Sequence, residues 1–298
     1  MLDCAIIGGG PAGLTAAVYL ARFRRSVTVF DDGKSRAAMI PVSHNHSGFP
    51  EGINGEALLE RMRRQAIDYG ASMYGREVKS VRVSADGFII ATDQKSFECR
   101  SVLFATGVVN HRPPISEDAH ARAIAAGTLR YCPVCDGYEA MDQRIAVLGA
   151  DAHGAKEAQF LRTYSNDVTL LTLDDCELSE IDAAALKANG IASERSPVSV
   201  FAFSDASVQI SLADGRQLTF NTLYPALGSS ANSQLLSALG VPLSEEKCVS
   251  ADEHQRLPVK GLYAAGDLVS GLDQISVAMG QAAVAATTIH NDLPARNA

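Results

Sequence analysis

A glycine-rich turn near the start of the chain constrains the fold more than any other feature. Residues 8–13 read GGGPAG, directly after an apolar run at residues 4–7 and before an alanine-rich helical pattern. In a G-x-G-x-x-G turn the glycines let the backbone turn tightly, approach a pyrophosphate closely and pack helix against strand. Asp31 or Asp32, at the end of the next predicted strand, would supply a carboxylate for ribose hydroxyls. The sequence therefore predicts a strand–helix–strand unit of dinucleotide-binding type.

A second unit with the same order of strand, glycine turn, helix and strand occupies residues 144–175. Two such openings far apart in one chain favour two dinucleotide-type domains over one large sheet. A predicted antiparallel meander follows each unit, and the C-terminal segment returns to the first pattern. We therefore predict an α/β protein with two Rossmann-like, three-layer domains. Residues 1–113 and 241–298 would form the first, and residues 114–240 the second, inserted into it.

Charge and cysteine usage restrict the partners and the compartment. The chain has 26 Lys and Arg against 34 Asp and Glu, a net charge of −8, so neither nucleic acid nor an anionic membrane surface is an expected partner. The apolar residues 274–291 contain several polar side chains, which predicts a buried helix rather than a membrane span. The start of the chain lacks a signal-peptide pattern, so the default compartment is the cytoplasm. Most of the six cysteines should be reduced there.

Two cysteines, Cys132 and Cys135, are close in sequence, and Asp136 follows them directly. A zinc site would need a second Cys or His pair at ligand spacing, which the sequence lacks, so no metal is expected. A chance pair is a second alternative. Two thiols three residues apart can close a small disulfide with a lowered thiol pKa, and the adjacent carboxylate can pass protons. We predict a redox-active pair.

Two further turns complete a recognisable pattern. Residues 105–107 close one predicted strand, and Gly266 and Asp267 close another; in isolation each is an ordinary turn. Together with residues 6–13, 45–58, 131–137 and 264–274, they make the sequence resemble the low-molecular-weight thioredoxin reductases over almost its full length.

The resemblance implies an FAD-binding domain, an inserted domain that carries the dithiol, a homodimer, and electron flow between flavin and a substrate disulfide. Cys135 would lie against the flavin, Cys132 would exchange with substrate, and Asp136 would be the proton donor and acceptor. The partner would be a thioredoxin-like protein or a small-molecule dithiol or disulfide. The implied cofactor-binding residues are Gly8, Gly10, Pro11, Ala12, Gly13, Asp31, Asp32, Asn45, Ala105, Thr106, Gly107, Gly266, Asp267, Gln274 and Ile275.

The sequence departs from the family where NADPH would bind. The second glycine turn, residues 149–154, reads GADAHG, so Asp151 stands at the second essential glycine. The family's basic cluster for the 2′-phosphate is replaced by Thr172, Leu173, Asp174 and Asp175, and Asp273-Gln274 replaces an Arg-Gln pair near the flavin. A side chain and a negative charge at the turn oppose a pyrophosphate. NADPH and NADH are therefore doubtful cofactors.

Several functions stay open from the sequence. The first is an FAD-dependent dithiol/disulfide oxidoreductase that uses a ferredoxin-like or other electron-carrier protein, or that oxidises dithiols with oxygen. The second is an NAD(P)H-dependent thioredoxin reductase in which a basic residue such as Arg162 or Lys187 compensates. The others are a flavin-binding redox sensor without turnover and a flavoenzyme whose chemistry ignores the cysteines.

Overall fold

The computed structural model describes residues 1–149, 151–174 and 178–294. In chain order, the described elements are β1 Leu2–Ile7, α1 Pro11–Arg22, β2 Val27–Phe30, α2 Gly55–Asp68, β3 Ser72–Tyr74, β4 Ser80–Ser84, β5 Gly87–Ala91, β6 Ser96–Phe104, β7 Val108–Asn110, α3 Glu117–Ala125, α4 Pro133–Asp136, β8 Ile145–Leu148, α5 Ala152–Leu161, β9 Val168–Leu171, α6 Glu180–Ala188, β10 Ala192–Ser193, β11 Val198–Phe203, β12 Val208–Leu212, β13 Gln217–Phe220, β14 Thr222–Pro225, β15 Ser229–Ala231, α7 Gln234–Ser237, β16 Leu262–Ala264 and α8 Ile275–Asp292. Short 3₁₀ turns cover Arg36–Met39 and Tyr138–Ala140.

The chain divides into two compact units. Unit 1 comprises Met1–Val42, Ile53–Val109 and the chain from Ser230 onward, and unit 2 comprises Ser43–Gly52 and Asn110–Ser229. Each unit has its own parallel sheet and apolar core, which confirms the predicted α/β fold with two Rossmann-like domains.

The sheet of unit 1 has the strand order β3-β2-β1-β6-β5-β4, and β16 also pairs with β6. The strands β3, β2, β1, β6 and β16 are parallel, whereas β4 and β5 run antiparallel to their neighbours. Every residue of β2 and all but the first of β1 are buried, as expected for parallel strands covered on both faces. Their carboxyl ends lie at one edge of the sheet, where the first glycine turn begins.

Helices α1 and α8 share one core cluster with this sheet, through Ala16 and Ala17 on α1 and Ala282, Ala285 and Ala286 on α8. The small side chains let the two helix backbones approach closely. The apolar stretch at residues 274–291 is thus a helix with one face in the core, as predicted. Among the described residues, no helix is long and apolar enough to cross a membrane.

Unit 2 contains a four-stranded parallel sheet of order β10-β9-β8-β14 and an antiparallel three-stranded sheet of order β11-β12-β13. Leu129 forms an additional parallel bridge to Leu223 on β14. That bridge places the segment before the two cysteines beside β14, and helix α5 shares a core cluster with Tyr224 of that strand.

Candidate active site

The first glycine turn lies between β1 and α1. Gly8 has a φ of +111°, and a Cβ there would lie 2.2 Å from the Ala105 carbonyl oxygen, while a Cβ on Gly13 would lie 1.9 Å from the Gly8 carbonyl oxygen. At Gly10 the single protein atom near a Cβ would be Ser35 Oγ, at 3.2 Å. The protein's own packing therefore requires glycine at positions 8 and 13, and the space beside Gly10 remains for a ligand.

Gly10 is also the N-cap of α1, and it has no side chain to bond the first amides of the helix. Pro11 begins the helix, where its missing N–H costs nothing. Free backbone amides at a helix N-terminus attract a phosphate group. This turn thus fits the pyrophosphate of a dinucleotide.

Asp31 lies beside this turn, at the end of β2. Its carboxyl is so close that a Cβ on Gly9 would lie 2.3 Å from Asp31 Cγ. Asp31 also accepts a hydrogen bond from Gly33 N at 3.1 Å and one from Arg63 Nη2 at 3.2 Å. Asp32 instead pairs with the exposed Lys34, 2.8 Å away. Of the two candidate carboxylates, the structure places Asp31 at the dinucleotide turn.

The two other predicted turns also surround the first one. Ala105 contacts Gly8, and a Cβ on Gly266 would lie 3.1 Å from the Ala12 side chain. Thr106 Oγ1 donates to the Asn232 carbonyl at 2.7 Å, and Asn232 Nδ2 donates back to the Thr106 carbonyl at 2.9 Å, which fixes the turn that continues into Gly107.

Asp267 follows Gly266 and shares a guanidinium with a second acid. Arg36 Nη1 donates to Asp267 Oδ2 at 3.1 Å and to Asp273 Oδ2 at 2.9 Å. Burial raises the pKa of Asp267, and the nearby Asp273 raises it further. Gln274 is the N-cap of α8 and Ile275 its first residue. The sequence indicated Asp267 but not Arg36, since Arg36 is distant from it in the chain.

Cys132 and Cys135 form a disulfide in unit 2. Cys132 is the N-cap of the one-turn helix α4, and its carbonyl accepts hydrogen bonds from the amides of Cys135 and Asp136 at 2.9 and 3.2 Å. A Cβ on Gly137 would lie 2.5 Å from Tyr164 Cε2, so the turn after the dithiol needs glycine. Burial raises the pKa of both Cys4 and Cys99 to about 12. Those two thiols are inert by comparison.

Asp136 is held from two sides. Tyr224 Oη donates to Asp136 Oδ1 at 3.0 Å, and Arg130 Nη1 lies 3.4 Å from Asp136 Oδ2. Burial raises the pKa of Asp136 to about 6, and Arg130 and Tyr224 oppose that rise. Sequence reasoning missed both partners: Tyr224 belongs to an apolar strand pattern, and the one hint for Arg130 was its position two residues before Cys132.

Asn45, predicted as a flavin contact, belongs to unit 2. Its Nδ2 donates to the Val134 carbonyl, between the two cysteines, at 3.4 Å. In the described residues, no cluster of three or more His, Cys, Asp or Glu side chains could hold a metal ion.

In the second glycine turn, between β8 and α5, the outer glycines are closely packed as in the first turn, but an acidic residue occupies the middle position. A Cβ on Gly149 would lie 2.7 Å from the Ala226 carbonyl oxygen, and one on Gly154 would lie 2.4 Å from the Gly149 carbonyl oxygen. Asp151 stands at the position equivalent to Gly10. It is the N-cap of α5, where its Oδ1 accepts a hydrogen bond from Gly154 N at 2.9 Å. The chain's own carboxylate thus binds a helix amide of the kind that a phosphate would use.

Acidic side chains continue behind this turn. Glu157 Oε1 lies 3.1 Å from His153 Nε2, and Glu157 Oε2 is buried without a hydrogen-bond partner. Burial raises the pKa of Glu157 to about 7, and Asp151 adds to the rise. After β9, Thr172 Oγ1 and Asp174 bond to each other in a tight turn. Asp175 lies outside the described residues.

Arg162, which the sequence left as a compensating basic residue, is committed elsewhere. It is the C-cap of α5, at the opposite end of the helix from Asp151. Its Nε donates to the Asn189 carbonyl at 2.8 Å and its Nη1 to the Ser165 carbonyl at 2.9 Å. A ten-residue helix is about 15 Å long, so Arg162 does not reach the turn.

Comparison with known proteins identifies the family. The model of the pyridine nucleotide-disulphide oxidoreductases matches residues 2–282. The chain is 30% identical to NADPH-dependent thioredoxin reductase 3 of Arabidopsis thaliana, over 98% of this chain and 58% of that protein. It is 28% identical to thioredoxin reductase of Mycolicibacterium smegmatis, over 90% and 88% of the two chains.

A solved structure agrees with this result. The thioredoxin reductase of Streptococcus pyogenes MGAS5005 superimposes with a TM-score of 0.89 at 25% identity, over 98% of both chains. The chain therefore belongs to the pyridine nucleotide-disulphide oxidoreductase family, as an FAD-dependent disulfide oxidoreductase of the low-molecular-weight thioredoxin reductase type.

Proposed function

We propose that FAD, held by unit 1, exchanges electrons with the Cys132–Cys135 disulfide, and that this disulfide exchanges with a dithiol or disulfide partner. Bound FAD supplies a centre that takes up or releases two electrons. In the chain itself, Gly8, Gly10 and Gly13 provide the pyrophosphate turn and Asp31 the ribose carboxylate. Relatives named thioredoxin reductase support a thioredoxin-like protein as partner, and a small-molecule dithiol is the other candidate.

The sulfur roles in this proposal follow the family pattern. Cys135 faces the flavin, Cys132 exchanges with the partner, and Asp136 gives and takes the proton. We extend the same resemblance to a homodimer in the cytoplasm. Sedimentation of the purified protein at about twice the mass of one chain would support the dimer, and a monomer would contradict it.

The contrast between Gly10 and Asp151 carries the second part of the proposal, that NADPH and NADH are poor electron donors. The two residues are the N-caps of equivalent helices, but Asp151 closes its own turn with a carboxylate. Each hydrogen bond from Arg to a 2′-phosphate contributes about 1.5–3 kcal/mol, so the loss of two weakens NADPH by a hundredfold or more. Repulsion from Asp151 acts against both nucleotides.

A nicotinamide-dependent thioredoxin reductase is the rival function, favoured by the printed name of the Arabidopsis relative. Arg162 does not rescue it, because its guanidinium bonds the chain at the far end of α5. In the function that we propose, electrons enter from a reduced carrier protein of ferredoxin type, or from a dithiol substrate with oxygen as the final acceptor.

Anaerobic reduction with dithiothreitol tests the dithiol–flavin exchange. The flavin absorbance of the parent protein should bleach, whereas that of Cys135→Ser should stay oxidised under the same treatment. Cys248→Ser, which changes a free cysteine outside the disulfide, is the matched control and should behave as the parent. Equal bleaching in parent and Cys135→Ser would mean that the disulfide does not carry the electrons.

Isothermal titration calorimetry of the parent protein with NADPH and NADH tests whether either nucleotide is the electron donor, because it measures how tightly each one binds. Dissociation constants in the millimolar range or weaker are expected, and micromolar binding of either nucleotide would return the protein to the nicotinamide-dependent class.

A further inference from the structure

Asp136 is attached to the rest of unit 2 by two side chains that neither the sequence nor the family resemblance assigns. Tyr224 Oη donates to Asp136 Oδ1 at 3.0 Å and lies 3.2 Å from the Asp136 carbonyl oxygen, so it bonds both the carboxyl and the backbone of this residue. Arg130 Nη1 lies 3.4 Å from the other carboxyl oxygen. Each oxygen of the carboxyl thus has its own partner.

The two partners come from segments that are themselves hydrogen-bonded: Arg130 follows Leu129, which bridges to Leu223, and Tyr224 lies in β14. Arg130 N donates to the Leu223 carbonyl at 3.0 Å, and Leu223 N donates to the Thr128 carbonyl at 2.9 Å. The Arg130 side chain is held in turn, since its Nε donates to the Gly127 carbonyl at 3.0 Å. Tyr224 is fully buried in the strand β14. Backbone hydrogen bonds and burial thus hold both partners of the carboxyl in place.

We propose that Tyr224 and Arg130 are positioning residues, which hold the Asp136 carboxylate ready to exchange a proton with the neighbouring dithiol. This inference rests on the proposed function, because it needs Asp136 to act on the Cys132–Cys135 couple. It goes further by naming the groups that decide at which pH the carboxyl is charged.

The charged and titratable groups around Asp136 act in opposite directions. Burial favours its neutral form, and the negative charge of Glu139 adds to that effect. The Arg130 guanidinium and the Tyr224 hydroxyl both favour the carboxylate. Removing either partner should therefore shift proton binding by Asp136 to higher pH.

The step in which this matters is the reduction of the protein disulfide by a dithiol. A substrate thiol loses its proton to the Asp136 carboxylate, and its sulfur attacks Cys132 Sγ. The Cys132–Cys135 bond breaks, and Cys135 leaves as a thiolate that takes a proton from Asp136. Asp136, again a carboxylate, takes the proton of the second substrate thiol, whose sulfur attacks the first substrate sulfur, and Cys132 leaves as a thiolate that takes this proton from Asp136. Two electrons and two protons pass from substrate to protein, and the substrate becomes a disulfide.

The test measures the rate at which dithiothreitol reduces the disulfide in the FAD-loaded protein, under anaerobic conditions between pH 5 and pH 8. Samples are quenched, alkylated and weighed by mass spectrometry, and the flavin reduced in the same time, read from its absorbance, is added to the reduced dithiol to give the total rate of disulfide reduction. Each rate is divided by the concentration of dithiothreitol thiolate. The parent should show an inflection near pH 6 that Asp136→Asn lacks.

Tyr224→Phe and Arg130→Gln should each move that inflection upward, by about one to two pH units for the loss of one hydrogen bond to a charged group. Arg130→Lys should restore part of the Arg130→Gln shift because it keeps the charge. Tyr131→Phe is the matched control, since its hydroxyl bonds His120 at 2.8 Å instead of Asp136, and its inflection should stay at the parent value.

The outcomes distinguish the positioning role of Tyr224 and Arg130 from the role of Asp136 in the proposed function. Profiles of Tyr224→Phe and Arg130→Gln that coincide with the parent, while Asp136→Asn lacks the inflection, would overturn the positioning role alone. An inflection that survives in Asp136→Asn would overturn the role of Asp136 in the proposed function, and this inference with it.

Discussion

The single glycines of the first turn are required for two different reasons. Gly8 and Gly13 are needed by the protein, because any Cβ there would overlap a carbonyl oxygen at 2.2 or 1.9 Å. Gly10 is needed by the ligand, because Ser35 Oγ is the one protein atom near its Cβ position. The sequence pattern predicted all three glycines but could not distinguish these reasons, since the neighbours belong to distant segments.

Replacement of Gly10 by Val should therefore empty the flavin site and leave the fold intact. The side chain would fill the space of the pyrophosphate, so the FAD content should fall from about one per chain to a small fraction. The measurement is the ratio of flavin to protein absorbance, with far-UV circular dichroism to check the fold. Gly13→Val, by contrast, should fail to fold. Full FAD content in Gly10→Val would contradict the assignment of this turn.

Glu157 makes the protein less stable as the pH rises. Its pKa is about 7 in the folded protein, above the ordinary value of 4.5, so its ionisation costs stability between about pH 4.5 and 7. Glu157→Gln should be about 2–3 kcal/mol more stable than the parent at pH 8 and equal to it near pH 4.5. Thermal unfolding at the two pH values measures the difference.

Glu180→Gln changes an exposed residue in the first turn of α6 and serves as the control, with no comparable gain at pH 8. A Glu157→Gln protein that unfolds at the parent temperature at pH 8 would contradict the buried position of this carboxyl.

At the scale of elements, the two strand–turn–helix units follow one plan with one difference at the N-cap. The sequence predicted both units from their apolar runs and glycine spacing, and it predicted that Asp151 blocks the second turn. It could not show that this carboxylate bonds Gly154 N, nor that Arg130 and Tyr224 meet at Asp136. Such contacts depend on strand pairing, here the bridge between Leu129 and Leu223. The choice between Asp31 and Asp32 also depended on side-chain direction at the end of β2.

The cap at α5 can be separated from its charge by two substitutions. Asp151→Asn keeps a side-chain oxygen for Gly154 N and removes the repulsion of Glu157, so at pH 8 it should be at least as stable as the parent. Asp151→Ala loses the cap and should be about 1 kcal/mol less stable than Asp151→Asn. Chemical denaturation at pH 8 gives both values. Equal stability of the two variants would show that Asp151 contributes nothing as a cap.

At the scale of the whole molecule, the family and the two Rossmann-like units could be predicted because their signals are local glycine turns, strands and a C-x-x-C pair. The grouping of residues 43–52 with unit 2 could not, because it depends on contacts such as that of Asn45 Nδ2 with the Val134 carbonyl, 89 residues away. The two dinucleotide-type turns of this chain differ chemically: the N-cap of one helix is Gly10, and the N-cap of the other is Asp151, whose carboxylate accepts a hydrogen bond from Gly154 N.

Stopped-flow mixing of the oxidised, FAD-loaded protein with millimolar NADPH or NADH, without oxygen, tests this difference most directly. Turnover rates of enzymes are typically about 1 to 1,000 per second, so a functional nicotinamide site would bleach the flavin within about a second. We predict unchanged flavin absorbance on that timescale with both nucleotides, and bleaching by a dithiol or a reduced carrier protein. Flavin reduction by NADPH or NADH within about a second would contradict the account.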